Sequence, residues 1–385
     1  MRVGVFLLAG QYPGQSQQEA LRRTTGAAET AEAAGLDAVW LAEHHFVPYG
    51  VCPSAVTLAA LLLGRTRRIQ VGTAVSVLPT THPVTLGEQA AMLHLLSGGR
   101  FSLGVGRGGP WVDLEVFGGG LAAYERDFPE SLDLLLRWLR EPRVGAAGER
   151  FRFREVPVVP RPVPDEAPDG VPDDGPPVLV ACTSPGTVRL AARHGLPMLL
   201  GMHIGDEEKA GMVSLWREAA DAAGHAPEAV AAAAARHVSA GVAQVADSHS
   251  EAVQTLRRAL PGWLRQGLAA HQTFDGGPRR MRDPLAYTEL LCELHPVGDA
   301  RLCADRLAAT AERTGIRRFA LLVEGSGERA ATELNVRRLA DDVLPLLPRH
   351  AERSAGTGRA AAAVRATSGG LGVERFSSRA APATG

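Results

Sequence analysis

Ala38-Val39-Trp40-Leu41-Ala42-Glu43-His44-His45-Phe46 is a short apolar run that ends abruptly in an acid and two histidines. A run this short, bounded by polar residues, reads as a strand of a parallel sheet rather than as a helix. Titratable side chains at the point where such a strand gives way to its loop occupy the rim at which barrels of parallel strands carry their chemistry. Histidine titrates near neutral pH and exchanges protons with oxygen, so the pair is a candidate acid/base device. The same two rings would also serve to cap a strand end, or to furnish half of a metal site.

The pattern around this stretch repeats in both directions. Strands are predicted over Val3 to Leu8, Ala38 to Ala42, Gln70 to Val77 and Phe101 to Val105. Helical periodicity follows them over Gln17 to Ala34, Ser54 to Leu63, Val84 to Leu96 and Tyr124 to Leu139. The second half gives strands over Pro177 to Cys182, Pro197 to Met202, Arg236 to Val242 and Arg318 to Val323. Its helices fall near Gly186 to Arg193, Glu207 to Ala223, Ser250 to Gly267 and Ala330 to Leu347. Eight such units predict an α/β chain, a (β/α)8 TIM barrel in residues 1–350. An open doubly wound sheet would show a similar alternation, but it needs a glycine-rich GxGxxG turn after its first strand, and none follows Leu8.

Two insertions interrupt the repeat, after strands four and seven. Gly145 to Pro176 contains the alternating Phe151-Arg152-Phe153 and then turns rich in proline, aspartate and glycine, which predicts a short hairpin and an exposed loop. His271 to Pro296 carries Gly276-Gly277-Pro278 beside Arg279, Arg280 and Arg282, and reads as a mobile lid. Residues 351–385 are dominated by Ala, Gly, Ser, Thr and Arg without an apolar period, and are expected to form a disordered tail.

Composition narrows the function. With 45% hydrophobic and 22% charged residues and a net charge of -1, the chain reads as an ordinary soluble protein. No long basic run lies in the first 350 residues, which argues against a nucleic-acid partner and for a small-molecule one. The opening apolar run meets Gly10, Gln11 and Pro13 before reaching membrane length, so no membrane association and a cytoplasmic location are expected. Cys52, Cys182, Cys292 and Cys303 show no CxxC pairing and no metal-ligand spacing, the usage of reduced thiols. Lys209 is the only lysine among many arginines, which we read as compositional bias.

Further along, Val71-Gly72-Thr73-Ala74-Val75 and Gly104-Val105-Gly106-Arg107-Gly108-Gly109 place small residues at strand mouths, where a planar ligand can approach the backbone. Arg107, set among glycines, can present its guanidinium to a phosphate. Ala181-Cys182-Thr183-Ser184-Pro185-Gly186-Thr187 reads as a capped helix start with proline in its first turn. Such a start is an ordinary helix cap or an anion site. Strands four and five are neighbours in a barrel, so Arg107 and Thr183 to Thr187 are expected to converge on one phosphate.

The pieces taken together resemble a known family. Glu43-His44-His45-Phe46, Gly72-Thr73-Ala74, Leu78-Pro79, His82-Pro83, Gly99-Arg100-Phe101, Gly106-Arg107-Gly108, Val116-Phe117-Gly118, Gly195-Leu196-Pro197-Met198 and His295-Pro296-Val297-Gly298 are similar, in order and spacing, to the catalytic subunit of the bacterial-luciferase-like flavin monooxygenases. The resemblance spans about residues 1–348. It implies reduced FMN, supplied by a separate flavin reductase, lying across the barrel mouth and reacting with O2 through a C4a-peroxyflavin to oxygenate a small organic substrate. By the same resemblance His44 is the catalytic acid/base, His45 its neighbouring support, and Arg107, Thr183, Ser184 and Thr187 the phosphate grip. Ala74-Val75 takes the place of a non-proline cis peptide beneath the flavin ring. Gly106 stands where luciferases carry a reactive cysteine, Thr183 where they carry an acid, and Met202 where they carry an aromatic residue. The shorter lid weakens the case for a long-chain aldehyde, so light emission is not expected. The resemblance also implies a homodimer. A deazaflavin-dependent oxidoreductase on the same barrel and a non-catalytic flavin-binding subunit are the alternatives.

Overall fold

All eight apolar runs are strands: β1 (Arg2–Leu7), β2 (Ala38–Leu41), β3 (Gln70–Thr73), β4 (Phe101–Gly106), β5 (Val178–Cys182), β6 (Met198–Leu200), β7 (Val238–Val242) and β8 (Arg318–Leu322). They pair in parallel in the order β3-β2-β1-β8-β7-β6-β5-β4, and β4 returns to β3, so the sheet closes into a barrel. The computed structural model describes residues 1–162, 175–276 and 282–348. The expected tail, most of the loop after the first hairpin, and Gly277 to Met281 in the lid lie outside the described residues.

Helices ring the barrel: α1 (Gln17–Ala33), α2 (Ala55–Arg65), α3 (Pro83–Ser97), α4 (Phe128–Arg140), α5 (Pro185–Arg193), α6 (Asp206–Ala222), α7 (His249–Ala269), α8 (Pro284–Leu294), α9 (Ala300–Thr314) and α10 (Arg329–Arg338). Several start on side chains the sequence supplies for the purpose. Ser16 Oγ accepts from the Glu19 N–H at 3.2 Å while the Glu19 carboxylate accepts from the Ser16 N–H at 2.7 Å, and Ser54, Ser248 and Asp299 cap α2, α7 and α9. Their apolar faces pack on the outside of the strands, where Val5, Val39, Val71 and Leu103 are fully buried. The barrel interior is filled by Trp40, Leu179, Leu199, Val238 and Ala320.

Two of the small strand residues serve this packing and not a ligand. A Cβ on Gly72 would stand 2.5 Å from the Trp40 ring, and one on Gly104 would run into the Thr73 carbonyl. Glycine here makes room for the interior indole and for the closure of β3 on β4, which Thr73 Oγ1 completes by accepting from the Gly104 N–H at 3.0 Å.

The rim between β8 and β1 is closed by charge. Glu324, 1% exposed, accepts from the N–H groups of Leu8 at 2.8 Å and Ala9 at 3.1 Å and from Thr24 Oγ1 at 2.7 Å. Arg23 Nε stands 3.4 Å from the same carboxylate, and its remaining donors reach Gln15, Gly327 and Gly10.

The first insertion forms the expected hairpin, Arg143–Ala147 against Arg152–Pro157. The second departs from the expected loop. Its start is bridged to the segment after β4, with Val112 N–H donating to Gln272 O at 2.9 Å and Phe274 N–H to Pro110 O at 2.8 Å, and its second half is helix α8, packed on α7. Neither α8 nor α9 was expected, nor was the parallel pair Gln244–Val245 with Val297–Gly298.

Candidate active site

The C-terminal ends of the strands surround a cavity of about 550 Å³. Its floor is apolar, made by Phe6, Leu8, Ala42, Leu199, Ala240 and Ala320. His44 and His45 enter it from the loop after β2. That loop is held by backbone bonds, His44 N–H to Cys52 O at 3.0 Å and Val51 N–H to Ala9 O at 2.9 Å. The His44 ring meets Tyr49 edge-on at 5.0 Å, and Tyr49 lies flat on Trp263 of α7 at 4.6 Å. On its other side the ring is pressed over Gly50, where a Cβ would stand 2.6 Å from Nδ1. Burial, reinforced by His271 and His45, pushes the His44 pKa down to about 3. The ring is therefore neutral at physiological pH, able to donate from one nitrogen and accept at the other. Its buried Nδ1 has no hydrogen-bond partner among the described residues.

Glu43 organises the surroundings. One carboxylate oxygen accepts from the Val77 N–H at 2.9 Å and the other from the Ala55 N–H at 3.1 Å, so it ties the start of α2 to the chain just past β3. His45 Nε2 lies 3.7 Å from the same carboxylate, and its ring packs edge-on against Phe117 at 4.8 Å. Asp113, also on the cavity wall, is raised above the usual carboxylate range by burial.

The peptide bond between Ala74 and Val75 is cis, as the resemblance implied, and both residues line the cavity with Ala181 beside them. Gly106 sits behind this wall, where a Cβ would be 2.7 Å from Val75 Cγ2 and 3.3 Å from Ala181 Cβ.

The phosphate residues are brought together in part. β4 and β5 pair up to Val105 and Val180, so Arg107 and Thr183 leave adjacent strand ends. Thr183 lines the cavity, whereas Ser184 and Thr187 lie behind it and cap each other. Thr187 Oγ1 accepts from the N–H groups of Thr183 at 3.3 Å and Ser184 at 3.2 Å, and Ser184 Oγ accepts from the Thr187 N–H at 3.4 Å. The Arg107 guanidinium rests 4.6 Å from the Tyr124 ring centroid. Sequence reading missed Tyr49, Trp111, Asp113, His203, His271 and Tyr287, all on the cavity wall and all lone residues in loops or insertions without a motif around them.

A model of the luciferase-like monooxygenases matches residues 1–318. The chain belongs to this family. Among curated relatives, the alkanal monooxygenase alpha chain of a Kryptophanaron alfredi symbiont is 28% identical over 364 residues, covering 90% of this chain and 98% of its own. Solved structures of similar shape include the monooxygenase RslO1 from Streptomyces bottropensis, with TM-score 0.75, 24% identity and coverage of 90% of this chain and 99% of that one. The oxygenating constituent of 3,6-diketocamphane monooxygenase from Pseudomonas putida, solved with FMN, gives 0.69 and 20% at the same coverage. An F420-dependent secondary alcohol dehydrogenase gives 0.66 and 17%, again at that coverage.

In this luciferase-like monooxygenase the glycine at 106 has a steric reason: a cysteine side chain there would collide with Val75. The four cysteines the chain does have are buried, and burial pushes Cys52, Cys182 and Cys303 up to about 12 and Cys292 up to about 11. Thiolate is scarce in such sites. Native protein incubated with N-ethylmaleimide at neutral pH is expected to keep its mass, and an adduct on the folded chain would contradict this.

Proposed function

We propose that this enzyme binds reduced FMN, delivered by a separate reductase, across the cavity and uses O2 to oxygenate a small organic substrate. One oxygen atom enters the substrate and the other leaves as water, with the two electrons supplied by the flavin. The observation that carries the reading is the meeting, in one cavity with an apolar floor, of a neutral His44 with the small-residue wall of Ala74, Val75 and Ala181. That wall fits a planar ring, and Thr183 at the start of α5, with Arg107 one strand away, fits its phosphate.

Reduced FMN, when bound, supplies the electrons and the activation of O2. The chain's own residues then have separate tasks. Ala74 and Val75 would support the ring, while Thr183, Arg107 and the Gly186 N–H at the head of α5, a turn fixed by the Ser184 and Thr187 cap, would bind the phosphate. His44 holds and passes the proton near the reacting oxygen, and Glu43 positions His45 beside it. The apolar floor and α8 exclude water.

A deazaflavin in place of FMN is the second reading, favoured by the likeness to the F420-dependent dehydrogenase. A non-catalytic subunit fits poorly with the two histidines in the cavity. Exposed Leu61 of α2 and Met92 and Leu96 of α3 support a homodimer through the first half of the barrel. A cytoplasmic location accords with four unpaired cysteines. The cofactor is decided by anaerobic fluorescence titration with reduced FMN and with a reduced deazaflavin. Binding of FMN at least about tenfold tighter, a difference of roughly 1.4 kcal/mol, is expected. The opposite order would move the enzyme to hydride transfer.

A further inference from the structure

Away from His44 and His45 the cavity has a second polar end. His203, in the loop after β6, shares a hydrogen bond between its Nδ1 and the Tyr287 hydroxyl of α8. The Arg282 guanidinium stands over the Tyr287 ring at 5.4 Å, and all three side chains line the cavity. Behind the wall lies the chain's one lysine. Lys209, 2% exposed, donates from Nζ to Ser239 Oγ at 2.9 Å and to Ala240 O at 3.0 Å, and its charge reaches His203 and His295. Asp206 at the head of α6 faces Lys209, and His295 is turned to the Met202 carbonyl at 2.8 Å. The cavity is therefore polarised, with the carboxylates Glu43 and Asp113 at the His45 end and the cations at the His203 end.

Burial keeps the Tyr287 phenol protonated, and partial desolvation, with the charges of Arg282 and Lys209, holds His203, whose side chain is open to the cavity, below its ordinary pKa. A phenol that donates to Nδ1 of a neutral imidazole leaves the ring proton on Nε2. A fixed N–H donor between two positive charges, in a site partly closed to water, suits a negatively charged oxygen.

We infer that His203, with its tautomer set by Tyr287 and with Arg282 and Lys209 supplying positive charge, seats the deprotonated oxygen of a phenol or enol substrate. The inference rests on the reading that oxygenation takes place in this cavity, and it names the substrate class. The carbon beside such an oxyanion is electron-rich, and His203 and His44 line the same cavity, so that carbon is enclosed with His44.

The test uses 4-nitrophenol, whose anion absorbs visible light and whose neutral form does not. The full chain is titrated with it, with and without saturating FMN, across pH. Bound probe is expected to ionise about one pH unit below free probe, a tenfold gain in the ratio of anion to neutral phenol at a fixed pH. His203→Ala should abolish the shift, His203→Gln, which returns an N–H near the Nε2 position, should restore part of it, and Tyr287→Phe should reduce it. Binding of the neutral phenol, displacement of the probe by FMN, or a shift that survives His203→Ala would overturn the inference. Reduced-FMN affinity is measured on the same variants. Flavin binding without a probe shift defeats this pocket and leaves the oxygenase reading standing, whereas a probe shift in a chain that binds no flavin does the reverse.

Discussion

Replacing Glu324 with alanine should destabilise the barrel by roughly 3 to 5 kcal/mol, because it strands a buried Arg23 and unpairs two backbone N–H groups at once. The loss falls on the seam where β8 meets β1, the last strand on the first. Nothing about it depends on catalysis, so the measurement is urea unfolding followed by circular dichroism. A midpoint within a few tenths molar of the parent would show that the network contributes little to stability. Glu324→Gln is expected to lie between the two, since an amide oxygen still accepts a backbone N–H but no longer offsets the guanidinium charge.

His44→Ala should lower oxygen-dependent product formation by about a hundredfold, the usual loss when an acid/base group is removed, while binding of reduced flavin persists. The ring touches Tyr49 and sits over Gly50 but, among the described residues, makes no side-chain hydrogen bond that holds the loop, so the loop's own backbone bonds remain. The check is oxygen uptake coupled to product on the purified variant, with flavin affinity measured beside it. Turnover equal to the parent would remove His44 from the mechanism.

Much of the barrel was legible because each βα unit carries its own local signal. The change from a short apolar run to amphipathic periodicity is visible in one sequence, and all eight strands follow it. The second insertion was not legible in the same way. Glycine, proline and arginine near its middle drew attention to a loop and away from Asp283-Pro284, which starts α8 with a side-chain cap and proline in the first turn. The signals of α9 were present too, Asp299 as its cap and Gly315 in a left-handed conformation as its stop, but they lie in the shadow of the lid.

The site divides along the same line. Glu43-His44-His45 stands at a strand end and announces itself, and so does the Ser184-Pro185 helix start. His203, Tyr287, Asp113 and Trp111 come from distant segments and meet only when the barrel closes. Glu324 is an isolated acid after the last strand, and its value arises from partners some 300 residues away in sequence. Lys209 reads as compositional bias in a chain rich in arginine, yet it is buried against β7 at the edge of the cavity. Two glycines that suggested a ligand approach, Gly72 and Gly104, turned out to make room for Trp40 and for the Thr73 carbonyl.

On the proposed reading this cavity takes reduced FMN and governs its reaction with oxygen. This is tested most directly by saturating the protein with reduced FMN under nitrogen, mixing with oxygenated buffer, and following the return of oxidised-flavin absorbance in a stopped-flow instrument. Exclusion of water from the site predicts that oxidised flavin returns at least about tenfold more slowly than it does from free reduced FMN. Return at the rate of free flavin, at protein concentrations that bind it fully, would contradict the account.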